Sequence, residues 1–137
     1  MGNTIDINDG LKEYDIQNQH GEIIGCFKIN PTDAGMVDRY NKSMKKLEDL
    51  KNKYSASDDS IDSFVSMQND VVAELVYIVG NDSVLDFFKV MGAFSLQNGQ
   101  FYYEKVLNII AGIIKKEGNK EKQAMKQRIN KYAKRYQ

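Results

Sequence analysis

Apolar and polar residues alternate along the first thirty residues of the chain, beginning with Ile5 and Ile7. Alternation with a period of two is typical of a strand that buries one face. Turn residues that include Gly10 and Gly21 divide the alternating stretch into shorter runs. We therefore predict a two- or three-stranded antiparallel β-meander over residues 3–29, which needs an apolar partner surface to be stable.

From Pro31 onward the apolar residues recur at intervals of three and four, which predicts helices. Pro is favoured at the first helical position, so the first helix is expected to begin there. Residues 58–60, Asp-Asp-Ser, offer caps for a second helix, and Gly80 can end it in a left-handed conformation. A short third helix is predicted after Asn81, and a fourth over 101–116.

The helical pattern breaks at Gly118, and the residues after it carry only a narrow apolar stripe among lysines. The predicted fold class is α+β, mainly helical, with the meander packed on a bundle of about four helices. Residues 1–118 are expected to form a single domain, and residues 119–137 a basic C-terminal helix or tail. A chain of 137 residues, 42% hydrophobic and 28% charged, is long enough for one such core.

The formal net charge of zero hides a bipolar distribution. From Lys115 to Gln137 there are nine Lys or Arg and two Glu, so this segment carries +7 and residues 1–114 carry −7. Such asymmetry predicts attraction to an acidic partner, to a second copy of the chain or to a polyanion. The candidate partner-binding residues are charged and apolar side chains of the basic segment, namely Lys126, Arg128, Ile129, Lys131, Tyr132, Lys134, Arg135 and Tyr136.

The residues that most enzymes use are scarce, with one histidine, one cysteine and no tryptophan. His20 and Cys26 could act as base and nucleophile only within hydrogen-bond reach of each other, and a free cysteine in a strand usually serves as a small buried hydrophobe. Zinc-binding spacings and phosphate-binding glycine motifs are absent from the sequence. We expect no enzymatic activity, no metal and no cofactor.

Clustered acidic residues are the remaining candidates for metal or acid–base chemistry. Residues 6–10, Asp-Ile-Asn-Asp-Gly, are similar to the start of a calcium loop, but the glycine comes one place early and the bidentate Glu at the twelfth position is missing. Asp70 with Glu74, and Asp82 with Asp86, share a helix face at a spacing of four. A turn explains the first cluster, and solvated or capping acids explain the pairs.

The lone cysteine cannot form an internal disulfide, which favours a reducing compartment. The first residues lack the basic start and apolar stretch of a signal peptide. No apolar run approaches the roughly 18 residues that a membrane span needs. We therefore expect a cytoplasmic protein without a membrane partner.

Nucleic acid is the alternative partner for the basic segment. Its lysines and arginines could neutralise phosphates, and Tyr132 or Tyr136 could stack on a base. Lysine outnumbers arginine there, and lysine is the weaker residue for bidentate base reading. The alternative is therefore a small, non-specific nucleic-acid-binding protein whose binding weakens with salt.

The order of elements, with Glu74-Leu75-Val76-Tyr77-Ile78-Val79-Gly80 and Val84-Leu85-Asp86-Phe87-Phe88, resembles the tail assembly chaperones of long-tailed phages and prophages of Gram-positive bacteria. The likeness covers residues 5–116. It implies a non-enzymatic protein of the bacterial host cytoplasm that binds the tape measure and tail tube proteins and has no cofactor. Self-association into a homo-oligomer, and a longer frameshifted form, are compatible with it. A minor structural tail component is the third alternative.

Overall fold

The computed structural model of this chain describes residues 2–56 and 60–135, and for 132–135 it describes the backbone alone. The elements in chain order are β1 Lys12–Gln17, β2 Ile23–Ile29, α1 Ala34–Ala56, α2 Ile61–Val79, the 3₁₀ helix Asp82–Lys89, β3 Leu96–Gln97, β4 Gln100–Phe101 and α3 Tyr102–Arg135. The strands β1 and β2 form one hairpin, and β3 and β4 form a second pair. The predicted class, mainly helical α+β with an N-terminal antiparallel hairpin, is confirmed.

The strands β1 and β2 form an antiparallel hairpin whose apolar face lies on the helices. Tyr14 stands opposite Phe27 in the register, and the Phe27 ring packs edge-on against Phe87 of the 3₁₀ helix, with ring centres 5.1 Å apart. Phe27 and Ile29 are fully buried, because alternate residues of β2 share one face of the strand. The hairpin is therefore part of the core.

The third strand that the alternation at residues 3–7 allowed is absent, so the prediction of a ribbon starting at residue 3 is wrong. These residues form no strand, and Ile5 and Ile7 remain 85% and 81% exposed. Asn8 Oδ1 accepts the Gly10 N–H at 2.9 Å, so the turn is closed by its own side chains. Alternation stabilises a strand only where a second layer covers its apolar face, and no described element covers these isoleucines.

Side chains from the 3₁₀ helix close the outer edge of β2. Asp86 Oδ2 accepts the Cys26 N–H at 3.0 Å, and Ser83 Oγ accepts the Lys28 N–H at 2.8 Å. A Cβ at Gly25 would lie 2.6 Å from the Cβ of Asp86, so only glycine permits this approach. Because an open strand edge can pair with another chain, these hydrogen bonds remove one route to association.

The first helix begins at Ala34, three residues after the start predicted at Pro31. Pro31 lies in a turn that the Asp33 N–H closes on the Asn30 carbonyl at 3.3 Å. Asp33 Oδ1 then accepts the Gly35 N–H at 2.9 Å, so this carboxylate takes the capping position. Asn30 and Pro31 therefore shape the entry to α1 and lie outside the helix.

The helix end predicted at Gly80 and the helix start predicted after it are confirmed. Gly80 ends α2 at φ +86°, in the left-handed region, and its N–H donates to the Val76 carbonyl at 2.8 Å. Asn81 caps the next segment by accepting the Ser83 N–H at 2.9 Å. That segment is the short third helix predicted after Asn81, and it has 3₁₀ geometry.

The pair α1 and α2 is antiparallel and is joined by two polar contacts in addition to apolar packing. Arg39 Nε donates to the carbonyl of Tyr77 at 3.0 Å, near the C-terminal end of α2. Ser43 Oγ, which is fully buried, donates to Glu74 Oε1 at 2.6 Å. The fully buried apolar residues of the core come from every layer, and include Phe27, Ile29, Met36, Val71, Leu75, Ile78, Val84, Val106 and Ile110.

Aromatic rings join the C-terminal end of α1 to the start of α3. Tyr54 stacks on Phe94 with ring centres 4.3 Å apart and meets Phe101 at 5.6 Å. Tyr103 packs against Phe94 at 5.8 Å, and burial raises the pKa of its hydroxyl to about 12. The start of α3 is therefore fixed beside the last turns of α1.

The break predicted at Gly118 is wrong, because α3 continues through it to Arg135. A single glycine inside a helix costs about 1 kcal/mol relative to alanine, and the Lys, Glu and Ala residues that follow favour helix. The boundary predicted between 118 and 119 thus lies inside one helix. Residues 119–131 are all exposed, so the basic segment is a helix that leaves the body.

Candidate functional site

The ion pair between Lys12 and Glu117 marks the point where α3 leaves the body. Lys12 Nζ lies 2.6 Å from Glu117 Oε2, and Lys120 Nζ lies 3.4 Å from the other carboxylate oxygen. Glu117 is buried, with 8% of its surface exposed. The hydrogen bond from Lys12 lowers the pKa of the Glu117 carboxyl and raises that of the lysine. This contact ties α3 to β1, and residues after it make no described contact with the core.

We call residues 119–135 of α3 the arm. Its 17 residues extend about 25 Å beyond the body at the helical rise of ~1.5 Å per residue. Met125 and Ile129, one helical turn apart, leave 56% and 58% of their surface exposed. The arm therefore presents a short apolar stripe to solvent.

Cationic side chains surround this stripe. Lys122, Lys126, Arg128 and Lys131 are exposed, and within residues 2–56 and 60–131 none of them has an acidic partner within ion-pair distance. Some lysines of the body, namely Lys42, Lys51 and Lys89, are paired with acids, whereas others, such as Lys45 and Lys116, have no ion pair within the described residues. The arm is thus a surface of uncompensated positive charge around two apolar residues.

The structure places four predicted partner-binding residues, Lys126, Arg128, Ile129 and Lys131, together on the arm. The backbones of Tyr132, Lys134 and Arg135 belong to the same helix. Their side chains, and the whole of Tyr136, lie outside the described residues. The prediction omitted Met125, although its spacing of four from Ile129 is the signal that places both on one face.

Sequence reasoning missed a second surface, an open cleft between the last turns of α1 and the first turns of α2. We call it the groove; its volume is about 680 Å³, and it is lined by Leu50, Lys53, Ala56, Asp62, Ser63, Ser66, Met67 and Asp70. Apolar residues from both helices form part of its lining, and two aspartates stand beside them. Because the cleft forms only when two helices pack, no short motif could have revealed it.

The residues considered for catalysis are not assembled into a reaction centre. His20 is exposed, and its ring lies 3.3 Å from the side chain of its neighbour Gln19. Cys26 is half-buried in β2, and its backbone N–H is bonded to Asp86. No hydrogen bond joins His20 to Cys26 in the described structure, so the nucleophile–base pair has no geometric support.

One acid of each predicted pair, Glu74 and Asp86, has a partner within the fold. Glu74 accepts the Ser43 hydroxyl. The Cys26 N–H and the Lys89 ammonium both lower the pKa of Asp86, with the backbone bond as the larger cause. Where the chain is described, His, Cys, Asp and Glu form no group of three that could hold a metal ion. The turn at residues 6–10 uses Asn8 and Asp9 oxygens as hydrogen-bond acceptors for the backbone.

A further cleft of about 690 Å³ opens beside the outer edge of β2. Several of its polar groups already have partners inside the protein. Asn81 Nδ2 and Ser83 Oγ donate to the Lys28 carbonyl at 3.0 and 3.1 Å, and Asp86 is bonded as described above. This cleft therefore offers little unused hydrogen-bonding capacity, and the arm and the groove are the stronger candidates.

No helix in the described ranges combines the length and the apolar character that crossing a bilayer would require. Comparison with protein-family models, with curated proteins and with solved structures finds no significant match to this chain.

Proposed function

We propose that this protein is a non-enzymatic assembly factor that binds other proteins through the arm. The observation that carries the proposal is a helix that continues about 25 Å past its last core contact. Its apolar stripe is exposed, and four of its described cations, Lys122, Lys126, Arg128 and Lys131, have no acidic partner among the described residues. Tertiary packing supplies most of the stability of helices in proteins, and the described residues of the arm have none. A partner helix or groove that covers Met125 and Ile129 would stabilise it, as in other helix-in-groove complexes.

The partners we propose are the tape measure and tail tube proteins of a long-tailed phage or prophage, inside the bacterial host cell. The support for this finer statement is the resemblance in element order to tail assembly chaperones. The contribution of the structure is an element suited to the task, because a basic, partly apolar helix can bind acidic amphipathic segments of a large helical protein.

Co-expression with the tape measure protein of the same gene cluster tests the proposal. Met125→Glu with Ile129→Glu removes the stripe, whereas Gln123→Glu with Gln127→Glu adds the same charge on the opposite face of the arm and serves as the control. The wild-type and control chains should copurify with the tape measure protein and keep it soluble. The stripe variant should lose at least about tenfold in affinity, the equivalent of ~1.4 kcal/mol.

If the stripe variant copurifies with the tape measure protein as well as the wild type does, the arm is not the binding surface. If the wild type does not copurify with it, the tape measure protein is not the partner. Detection of the protein in purified virions would favour a minor structural tail component instead. A chaperone of assembly should be absent from them.

Non-specific nucleic-acid binding is the second candidate, and the unpaired cations of the arm are the observation that favours it. A gel-shift titration at two salt concentrations distinguishes the candidates, since binding through phosphates falls steeply with salt. Phosphate binding should tolerate loss of the apolar stripe better than Lys126→Glu with Lys131→Glu. Protein binding should be sensitive to both changes.

A further inference from the structure

The arm and the groove have complementary chemistry and lie at opposite ends of the molecule. We propose that the arm of one copy docks in the groove of a second copy, so that the chain forms head-to-tail oligomers. This inference uses the same arm as the proposed function and adds a specific occupant for it, a second copy of this chain.

The groove has a partly apolar lining, in which two aspartates outnumber the single lysine, Lys53. Leu50 and Met67 are among its lining residues, and Met67 is buried with 9% of its surface exposed. Asp62 and Asp70 lie on the exposed side of α2. Neither has an ion-pair partner anywhere in the described parts of the chain.

The arm has positive charges on either side of its apolar stripe, opposite in sign to the two aspartates of the groove. Met125 and Ile129 would cover Leu50 and Met67, and the lysines on either side of the stripe would approach the two aspartates. Apolar burial would supply most of the affinity, and the charges would steer the approach and fix the orientation. Within the described residues, Met125 and Ile129 are exposed, and Asp62 and Asp70 have no ion-pair partner.

A chain cannot place its own arm in its own groove. Lys51 Nζ lies 3.1 Å from Glu104 Oε1, which sets the C-terminal end of α1, and with it the groove, beside the start of α3. The arm begins after Glu117, about 20 Å further along the same continuous helix, and runs away from that end. The occupant of the groove must therefore come from another molecule.

Charge favours arm-to-groove docking over pairing of two arms. Residues 119–135 contain seven Lys or Arg and one Glu, so two arms side by side would repel. Residues 1–114 carry −7, so the body of a second copy attracts the arm. A contact between two different surfaces does not close on itself as a two-fold dimer does, and it produces open chains or rings.

Sedimentation velocity over a concentration series tests the inference with two variants that should fold normally, because every substituted residue is exposed. The arm variant is Met125→Glu with Ile129→Glu. The groove variant is Ser66→Lys with Asp70→Asn. The arm control is Gln123→Glu with Gln127→Glu, and the groove control is Asn69→Lys with Ala73→Lys, which changes the charge of α2 by the same amount at residues that do not line the groove.

The wild type and both controls should sediment as oligomers that grow with concentration and dissociate as salt is added. Each variant alone should be monomeric. A mixture of the two variants should form a one-to-one complex and stop there, because one partner retains only an intact arm and the other only an intact groove.

A wild-type chain that stays monomeric at every concentration would overturn the inference. So would oligomers that survive in the groove variant, since they would show arms pairing with arms, and so would a mixture of variants that does not associate. These failures are distinct from failure of the proposed function, because binding of a tape measure protein is measured with that protein and self-association is measured without it.

Discussion

The first half of α3, residues 102–117, and the arm that continues it differ in what their apolar residues contact. In the first half Tyr103, Val106 and Ile110 are buried in the core. In the arm Met125 and Ile129 face solvent. Both halves are helical, yet only the first is held by tertiary burial, which supplies most helical stability in proteins.

The density of apolar positions decides which half of α3 packs on the core. The first half carries apolar residues at nearly every interval of three and four, so its apolar face is wide enough to pack on the core. The arm carries them on a narrow stripe between charges, and this stripe stays exposed instead of docking on the body. The buried Glu117 lies at the boundary between the packed half of α3 and the arm.

Truncation of one isoleucine in each half should have very different effects on stability. Ile110→Ala should lower the free energy of unfolding by about 2–5 kcal/mol, because Ile110 is fully buried and its removal leaves a cavity. Ile129→Ala should change it by less than about 0.5 kcal/mol, as exposed substitutions do. Urea denaturation followed by circular dichroism measures both. Similar losses for the two variants would mean that the arm is packed on the body.

A second comparison uses the two glycines inside α3. A Cβ added at Gly112 or at Gly118 meets no atom within 4 Å, so alanine fits at both positions. Gly112→Ala should raise the free energy of global unfolding by about 0.5–1 kcal/mol, since the alanine is the better helix former. Gly118→Ala should instead slow amide hydrogen exchange in the arm, with a smaller effect on global unfolding. Equal global effects would contradict the separate stability of the two halves.

Local chemistry made some of the fold predictable. Gly80 and Asn81 were identified as helix end and cap because their conformational preferences act through near neighbours. The isoleucines at residues 5 and 7 misled, since alternation does not say whether a second layer will cover a strand. Gly118 was also misleading, because the helix-favouring residues around it outweigh the unfavourable helix propensity of one glycine.

Of the two candidate surfaces, only the basic arm was predictable from the sequence. The basic residues of the arm, such as Lys126 and Arg128, are visible as a cluster in the sequence. The groove depends on how α1 and α2 pack, and residues such as Leu50 and Asp70 are not neighbours in sequence. A surface made by two elements can be found only after their packing is known.

The ion pair between Lys12 and Glu117 lies at the junction of the two halves. Because the folded state lowers the pKa of Glu117 from its ordinary value of 4.5, this carboxylate stabilises the fold above that pH and ceases to do so as the pH falls through its folded pKa. The raised pKa of Lys12 has the opposite sense, and its contribution is lost only as the pH rises past the ordinary value of 10.5. The pair should therefore stabilise the junction across the whole neutral range.

Glu117→Gln should flatten the dependence of unfolding free energy on pH below pH 4.5, because the substituted amide no longer takes up a proton there. Urea titrations at a series of pH values measure this slope, and hydrogen exchange at residues 113–120 reports the junction directly. Glu121→Gln, at an exposed position three residues into the arm, is the matched control and should leave the slope nearly unchanged. If both variants keep the wild-type slope, Lys12 and Glu117 do not form the junction, and the boundary between the packed half and the arm must lie elsewhere along α3.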